Sequence, residues 1–126
     1  VSGFSFDANI LIDALAGHPL ARAELKRAVS QGARPWISRM AWVEVLSKGD
    51  ETIVRETQNF LMRFGVDEID EEIAARAAAL RRERPRLKSP DAIILATALT
   101  RGRVLVTRNT KDFPANMPGI RVPYTL

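Results

Sequence analysis

At 126 residues the chain has the size of one domain with a substantial core, and its 46% hydrophobic and 27% charged residues argue against disorder. It has no cysteine, a single histidine (His18) and no apolar run near the ~18 residues of a membrane span, which excludes a disulfide framework, a thiolate or histidine-built zinc site and a membrane helix. The net charge is +4 and uneven: from Arg76 to Arg103 eight basic residues meet only two acids, a pattern that suits a polyanionic partner or a solvated helix face.

In chain order, FSF (4–6) reads as a short strand, followed by a turn-capable Asp7-Ala8-Asn9 and a helix from near Ile10 that Gly17 closes. His18 falls in a surface turn, and Pro19 opens a second helix that Gly32 ends. PWIS (35–38) is a strand candidate, with Ser38 as the N-cap of the helix RMAWVEVLSKG ended by Gly49. DETIVRETQNFLMRFG has apolar residues at helical spacing (Ile53, Val54, Phe60, Leu61, Phe64) and stops at Gly65. VDEID is a brief strand, and EEIAARAAALRRER is a helix that Pro85 breaks. In KSPDAIILATAL, Ser89 is expected as the N-cap and Pro90 as the first residue of a helix ending at Gly102. RVLVTRN is a strand with a polar exit, and GIRVP supplies a last edge strand.

Short strands alternating with helices predict one domain over residues 1–126, a three-layer α/β/α fold whose short parallel central sheet is flanked by helices. Sites in such sheets form beyond the carboxyl ends of the strands. The opening VSGFSFDANILID lacks a basic leader segment, so a cytoplasmic protein is expected.

Several acids stand where that rule directs attention. Asp7 follows the first strand, where it can equally cap a helix. Asp91 is the only charge inside an otherwise apolar helix, near an N-terminus whose dipole favours an acid. Glu44 lies within MAWVEVL, where its one local basic partner is Lys48. Asn109 and Asp112 share the loop after the last long strand, and either can face the same cleft. Carboxylates gathered without thiols or histidines describe a hard-cation site for Mg²⁺ or Mn²⁺. Without a cation such like charges repel, and some must bind protons.

Taken together, FDANILID, ISRMAWVEVL, LKSPDAIILATAL and LVTRNTKDF resemble, in order, the motifs of the PIN-domain family and of its VapC-type ribonuclease toxins. The resemblance covers nearly the whole chain. It carries catalytic and metal-binding roles over to Asp7, Glu44, Asp91 and Asp112, and supporting polar roles to Asn9, Ser38, Thr107 and Asn109. Many members carry an acid where this chain has Asn109, so Asp112 is ranked as the fourth acid and Asn109 as its helper.

The activity implied is hydrolysis of RNA phosphodiester bonds with Mg²⁺ or Mn²⁺ as cofactor, leaving a 5′-phosphate and a 3′-hydroxyl. Arg86, Lys88, Arg108 and Lys111 would then hold RNA at the rim of the acidic centre, although each alone also reads as surface charge. Trp36, Trp42 and the phenylalanines read as core. The resemblance also implies a toxin that inhibits translation, a VapB-like antitoxin, and a homodimer or toxin–antitoxin hetero-oligomer, with no membrane partner. The apolar stripe IVRETQNFLMRF is a candidate for such contacts, or for this domain's own core. Two alternatives remain open, a non-catalytic RNA-binding scaffold and an Asp-nucleophile phosphatase built on Asp7 with Asn9 two positions on.

Overall fold

The structure, a computed structural model, describes residues 3–32 and 34–126. Among them five strands form one wholly parallel sheet: β1 (Phe4–Phe6), β2 (Pro35–Ser38), β3 (Gly65–Asp67), β4 (Val104–Val106) and β5 (Ile120–Arg121). The helices are α1 (Ala8–Leu15), α2 (Pro19–Ser30), α3 (Arg39–Val45), α4 (Glu51–Leu61), α5 (Glu71–Glu83) and α6 (Ser89–Arg101). This is the expected three-layer α/β/α arrangement. Strands this short are stable only because both faces are covered, and Phe6, Ile37, Leu105 and Val106 are wholly buried. Ile10, Leu11, Ile73, Leu87, Ile94 and Phe113 close over them from the helices and loops. Each such side chain contributes about 1.5–3 kcal/mol by leaving water.

The strand order is β3-β2-β1-β4-β5. From β1 the chain builds outward through β2 to β3, then crosses back to lay β4 on the other side of β1. The winding direction therefore reverses between β1 and β4, and a crevice opens beyond their carboxyl ends. Asp7 follows β1 and Thr107 follows β4 directly, joined across the crevice floor by Asp7 N–H donating to the Val106 carbonyl at 2.9 Å.

Element boundaries follow the caps. Ser38 accepts from Met40 N–H at 3.1 Å, and Asp50 and Asp70 each accept from an N–H three residues on at 2.9 Å. Gly102 ends α6 in the left-handed conformation, at φ 68°. The expected role of Ser89 needs correction, because Lys88 is the N-cap of α6 and makes no side-chain cap bond, with Ser89 and Pro90 as the first helical residues. Proline fits there because the first N–H groups of a helix lack intrahelical acceptors. α3 stops at Val45 and α4 at Leu61, each a turn before the glycine expected to end it. β3 begins at Gly65 itself, because the Trp36 ring on β2 lies across that position and an added Cβ would come within 2.5 Å of it.

The edge strand β5 is tied down by charge. Glu24 of α2 is buried and accepts two hydrogen bonds from Arg121, at 2.7 and 3.0 Å, and two from Arg27, both at 2.9 Å. Burial works against that charge, but the two guanidinium forks outweigh it and hold the carboxyl down at about 2. A depressed acid contributes stability that is full above its unfolded pKa and lost as pH falls through the folded value. Glu24→Gln should therefore cost about 3 kcal/mol at pH 7. In urea titrations that deficit should close as pH falls from about 5 to 2. A deficit independent of pH would show that packing, not charge, is what Glu24 supplies.

Candidate metal centre

The crevice between β1 and β4 is built from the residues that leave those strands. Asp7 is 4% exposed, and its geometry is that of an N-cap, with Oδ1 accepting from Ala8 N–H at 2.7 Å. Its other oxygen, Oδ2, accepts from the Thr107 hydroxyl at 2.8 Å and from the Asn9 amide at 3.3 Å. Asn9 also donates to Thr107 Oγ1 at 3.2 Å and accepts from Arg108 N–H at 3.3 Å, so α1 and the loop after β4 are laced together around this carboxylate. Capping and site-building are thus not rivals at Asp7. One side chain does both.

The loop continues in the same manner. Asn109 N–H donates to Thr107 Oγ1 at 3.0 Å. The Asn109 amide donates to Asp112 Oδ2 at 3.0 Å, while Asp112 N–H donates to Asn109 Oδ1 at 3.3 Å. This reciprocal pair gives Asn109 the task of holding Asp112 in place and leaves Asp112 Oδ1 free for a ligand.

Glu44 and Asp91 complete the set. Glu44 is half-buried near the end of α3, and Asp91 is half-buried in the first turn of α6. Among the described residues neither has an ion pair, and Lys48 does not reach Glu44. Burial pushes the Asp7 carboxyl up to about 6; its bonds to Thr107 and Ala8 pull the other way, and the Asp91 charge adds to the rise. Burial raises Glu44, with Asp7 and Asp91 adding repulsion. Burial also raises Asp91, with Asp112 adding and Lys88 opposing. The four acids therefore act on one another electrostatically. Ser38, wholly buried, receives the Thr97 hydroxyl of α6 at 3.3 Å and links the start of α3 to α6.

The donor set consists of carboxylate oxygens, with the Asn and Thr oxygens beside them engaged in support, which is the chemistry of Mg²⁺ or Mn²⁺. Among the described residues no three carboxylates or histidines stand close enough to share one ion as placed. Mg²⁺ does not require three protein ligands, since it keeps several waters and takes one or two carboxylates together with substrate phosphate. The residues fit a hard cation carried on few protein ligands.

The PIN domain family model matches residues 5–116. The chain belongs to the PIN-domain family. Among solved structures this PIN domain is similar to a toxin–antitoxin complex from Klebsiella pneumoniae, at 41% identity and a TM-score of 0.86, over 97% of this chain and 98% of that one. It is also similar to DNA-bound VapBC from Salmonella typhimurium, at 25% identity and a TM-score of 0.77 over 96% of both chains. FitAcB from Neisseria gonorrhoeae, at 21% identity and a TM-score of 0.79 over 98% of this chain and 99% of that one, shares the fold. No curated protein matches the chain.

The basic residues of this PIN domain divide by partner. Arg86, Lys88 and Lys111 are exposed and, among the described residues, unpaired. Arg108 is not free for RNA in the same way, since its Nε donates to the buried Asp13 at 2.6 Å and Nη2 at 3.2 Å. The Tyr124 hydroxyl donates to Asp13 at 2.7 Å, and the Tyr124 ring stacks on His18 at 5.2 Å. Burial raises Asp13, yet the bonds from Arg108 and Tyr124 outweigh it and leave the carboxyl below its ordinary value. The sequence reading missed this network, and it missed Arg84, whose Nη2 donates to the Asp112 carbonyl. Among the described residues no helix is long and apolar enough to cross a membrane.

The Asp13–Arg108–Tyr124 cluster anchors the loop that carries Thr107 and Asp112. Tyr124→Phe should lower stability by about 2 kcal/mol, the worth of a hydrogen bond to a charged group. It should also speed amide exchange at residues 108–112, as read by hydrogen-exchange mass spectrometry. Unchanged exchange there would mean that the loop is held without the cluster.

Proposed function

We propose that this PIN domain is a metal-dependent endoribonuclease and the toxin of a type II toxin–antitoxin pair, acting in the cytoplasm to inhibit translation. One observation carries the reading: four acids without ion pairs, among the described residues, surround the switch point of the sheet, and burial and repulsion from neighbouring acids oppose the charges of Asp7, Glu44 and Asp91. Asp7 and Asp91 would hold Mg²⁺ or Mn²⁺, with Glu44 and Asp112 closing the acidic pocket. Bound there, the cation would lower the pKa of a water and neutralise charge on the phosphodiester.

The chain's own residues supply the rest. Thr107 and Asn9 fix one Asp7 oxygen, and the Ala8 N–H fixes the other, so the carboxylate meets its ligand in a set orientation. Asn109 does the same for Asp112. Glu44 would orient a water over the scissile bond. The single histidine is stacked on Tyr124, which leaves the acids as the groups available to move protons at the site.

An antitoxin as partner is supported by the similarity to the toxin–antitoxin complex from Klebsiella pneumoniae. A groove of about 700 Å³ suits an apolar segment of such a partner. Leu15, Leu25, Val29, Phe60 and Phe64 line it, and Arg22, Lys26 and Arg63 also border it. Of the stripe that begins on α4, Leu61 and Phe64 pack into the core, while Ile53 and the exposed Met62 just beyond the helix are left for a partner in this proposal.

Incubation with total RNA and Mg²⁺ or Mn²⁺ should give discrete fragments with 5′-phosphate and 3′-hydroxyl ends. EDTA and Asp7→Asn should each reduce cleavage by at least about 100-fold. Mn²⁺ should also raise the melting temperature of the wild type and not that of Asp7→Asn, a readout independent of turnover. Cleavage that survives EDTA would overturn the metal mechanism, and intact RNA at saturating metal would favour the scaffold reading.

A further inference from the structure

Beside Asp112 lies a second cleft, of about 450 Å³, lined by Arg84, Pro85, Arg86, Leu87, Lys111 and Asp112. It is formed where the α5–α6 connector meets the loop after β4. The connector is held tightly: Leu87 N–H donates to the Arg84 carbonyl at 2.9 Å, and Arg81 Nε donates to the Leu87 carbonyl at 2.9 Å. Arg84 then reaches across to the Asp112 carbonyl, so its guanidinium is fixed against the loop that carries the fourth acid.

Three cations, Arg84, Arg86 and Lys111, share this cleft with one carboxylate, Asp112. Among the described residues none of Arg84, Arg86 and Lys111 has a carboxylate within ion-pair distance, whereas Arg27, Arg39, Arg101, Arg103, Arg108 and Arg121 each do. Arg84 Nη1 is buried and has no hydrogen-bond partner, an N–H group whose desolvation nothing in the fold offsets. Arg86 and Lys111 are exposed and belong to the lining of the same cleft. The walls contain no aromatic ring on which a base would stack. Three cations on a cleft without an aromatic wall match a phosphate, not a base.

We infer that this cleft is a subsite for one backbone phosphate of the bound strand, next to the phosphodiester at the acidic centre. The inference rests on the nuclease reading above and adds to it a named place and chemistry for substrate binding. A polyanion approaching Asp7, Asp91, Glu44 and Asp112 meets repulsion from every side not neutralised by a cation. A flanking phosphate seated on Arg84, Arg86 and Lys111 holds the strand against that repulsion within one Debye length, about 8 Å at physiological salt. Because Arg84 donates to the Asp112 carbonyl, the subsite is tied directly to the loop that carries the fourth acid.

The test compares wild type, Arg86→Ala/Lys111→Ala, and a control, Arg55→Ala/Arg76→Ala, that removes the same charge from exposed positions on α4 and α5. Binding of short fluorescein-labelled single-stranded RNAs of differing sequence is followed by anisotropy in EDTA at low ionic strength, and cleavage kinetics in Mg²⁺. The subsite variant should bind every sequence about tenfold more weakly, and its salt dependence should be shallower by about 0.7, the slope for one phosphate of a single strand. In cleavage KM should rise by a similar factor with a much smaller change in kcat, and the control should match wild type in both assays. Equal binding by the subsite variant and wild type, or a loss confined to one sequence, would overturn the subsite. Wild type that neither binds nor cleaves RNA would overturn the nuclease reading itself.

Discussion

A carboxylate without a counter-ion stands at the centre of this fold. Asp7 is buried at the point where the sheet reverses its winding, and what it receives there are hydrogen bonds from Ala8, Thr107 and Asn9 rather than a positive charge. Those bonds orient the group without neutralising it, and burial still leaves its carboxyl raised to about 6. Nearby stand Glu44 and Asp91, raised for the same reason. A protein gains little stability from such an arrangement, because unpaired buried charge is among the most expensive features a fold can carry. Its persistence is intelligible if a cation completes it.

The architecture is arranged around that requirement. The order β3-β2-β1-β4-β5 puts β1 and β4 side by side, so residues 100 positions apart in sequence, Asp7 and Thr107, meet in one hydrogen bond. The first turn of α6 brings Asp91, α3 brings Glu44, and the loop after β4 brings Asp112 held by Asn109. Among the described residues no cation forms an ion pair with these acids, and cations are placed elsewhere: on Glu24 to secure the edge strand, on Asp13 to secure the loop, and around a cleft beside Asp112. The acidic centre and its basic border are two parts of one electrostatic design.

Much of this was legible in the sequence because its signals are local. Strands of two to four residues alternating with helices gave the parallel α/β reading, and Asp7, Glu44 and Asp91 were marked by their joint placement and by the motifs around them. Boundaries were read less well where a cap competes with a later glycine, as in α3 and α4, and at α6, which begins one residue earlier than expected with Lys88 as its cap. The Asp13–Arg108 and Asp13–Tyr124 bonds span 95 and 111 residues and leave no local trace, so Arg108 read as a free surface cation. Arg84 was hidden for the same reason, one arginine among several in a basic helix end, distinguished only by the carbonyl it reaches. Asn109 and Asp112 were inseparable in sequence, and their reciprocal hydrogen bonds give them different tasks.

The central claim is that the acids share a hard cation anchored on Asp7 and Asp91. It is tested most directly by crystals soaked in Mn²⁺ and an anomalous difference map recorded above the manganese edge. The account predicts a peak between the Asp7 and Asp91 carboxylates, within about 2.1 Å of at least one oxygen, the reach of a small octahedral cation. No peak there at saturating Mn²⁺, or one that engages Asp112 while leaving Asp7 untouched, would contradict it.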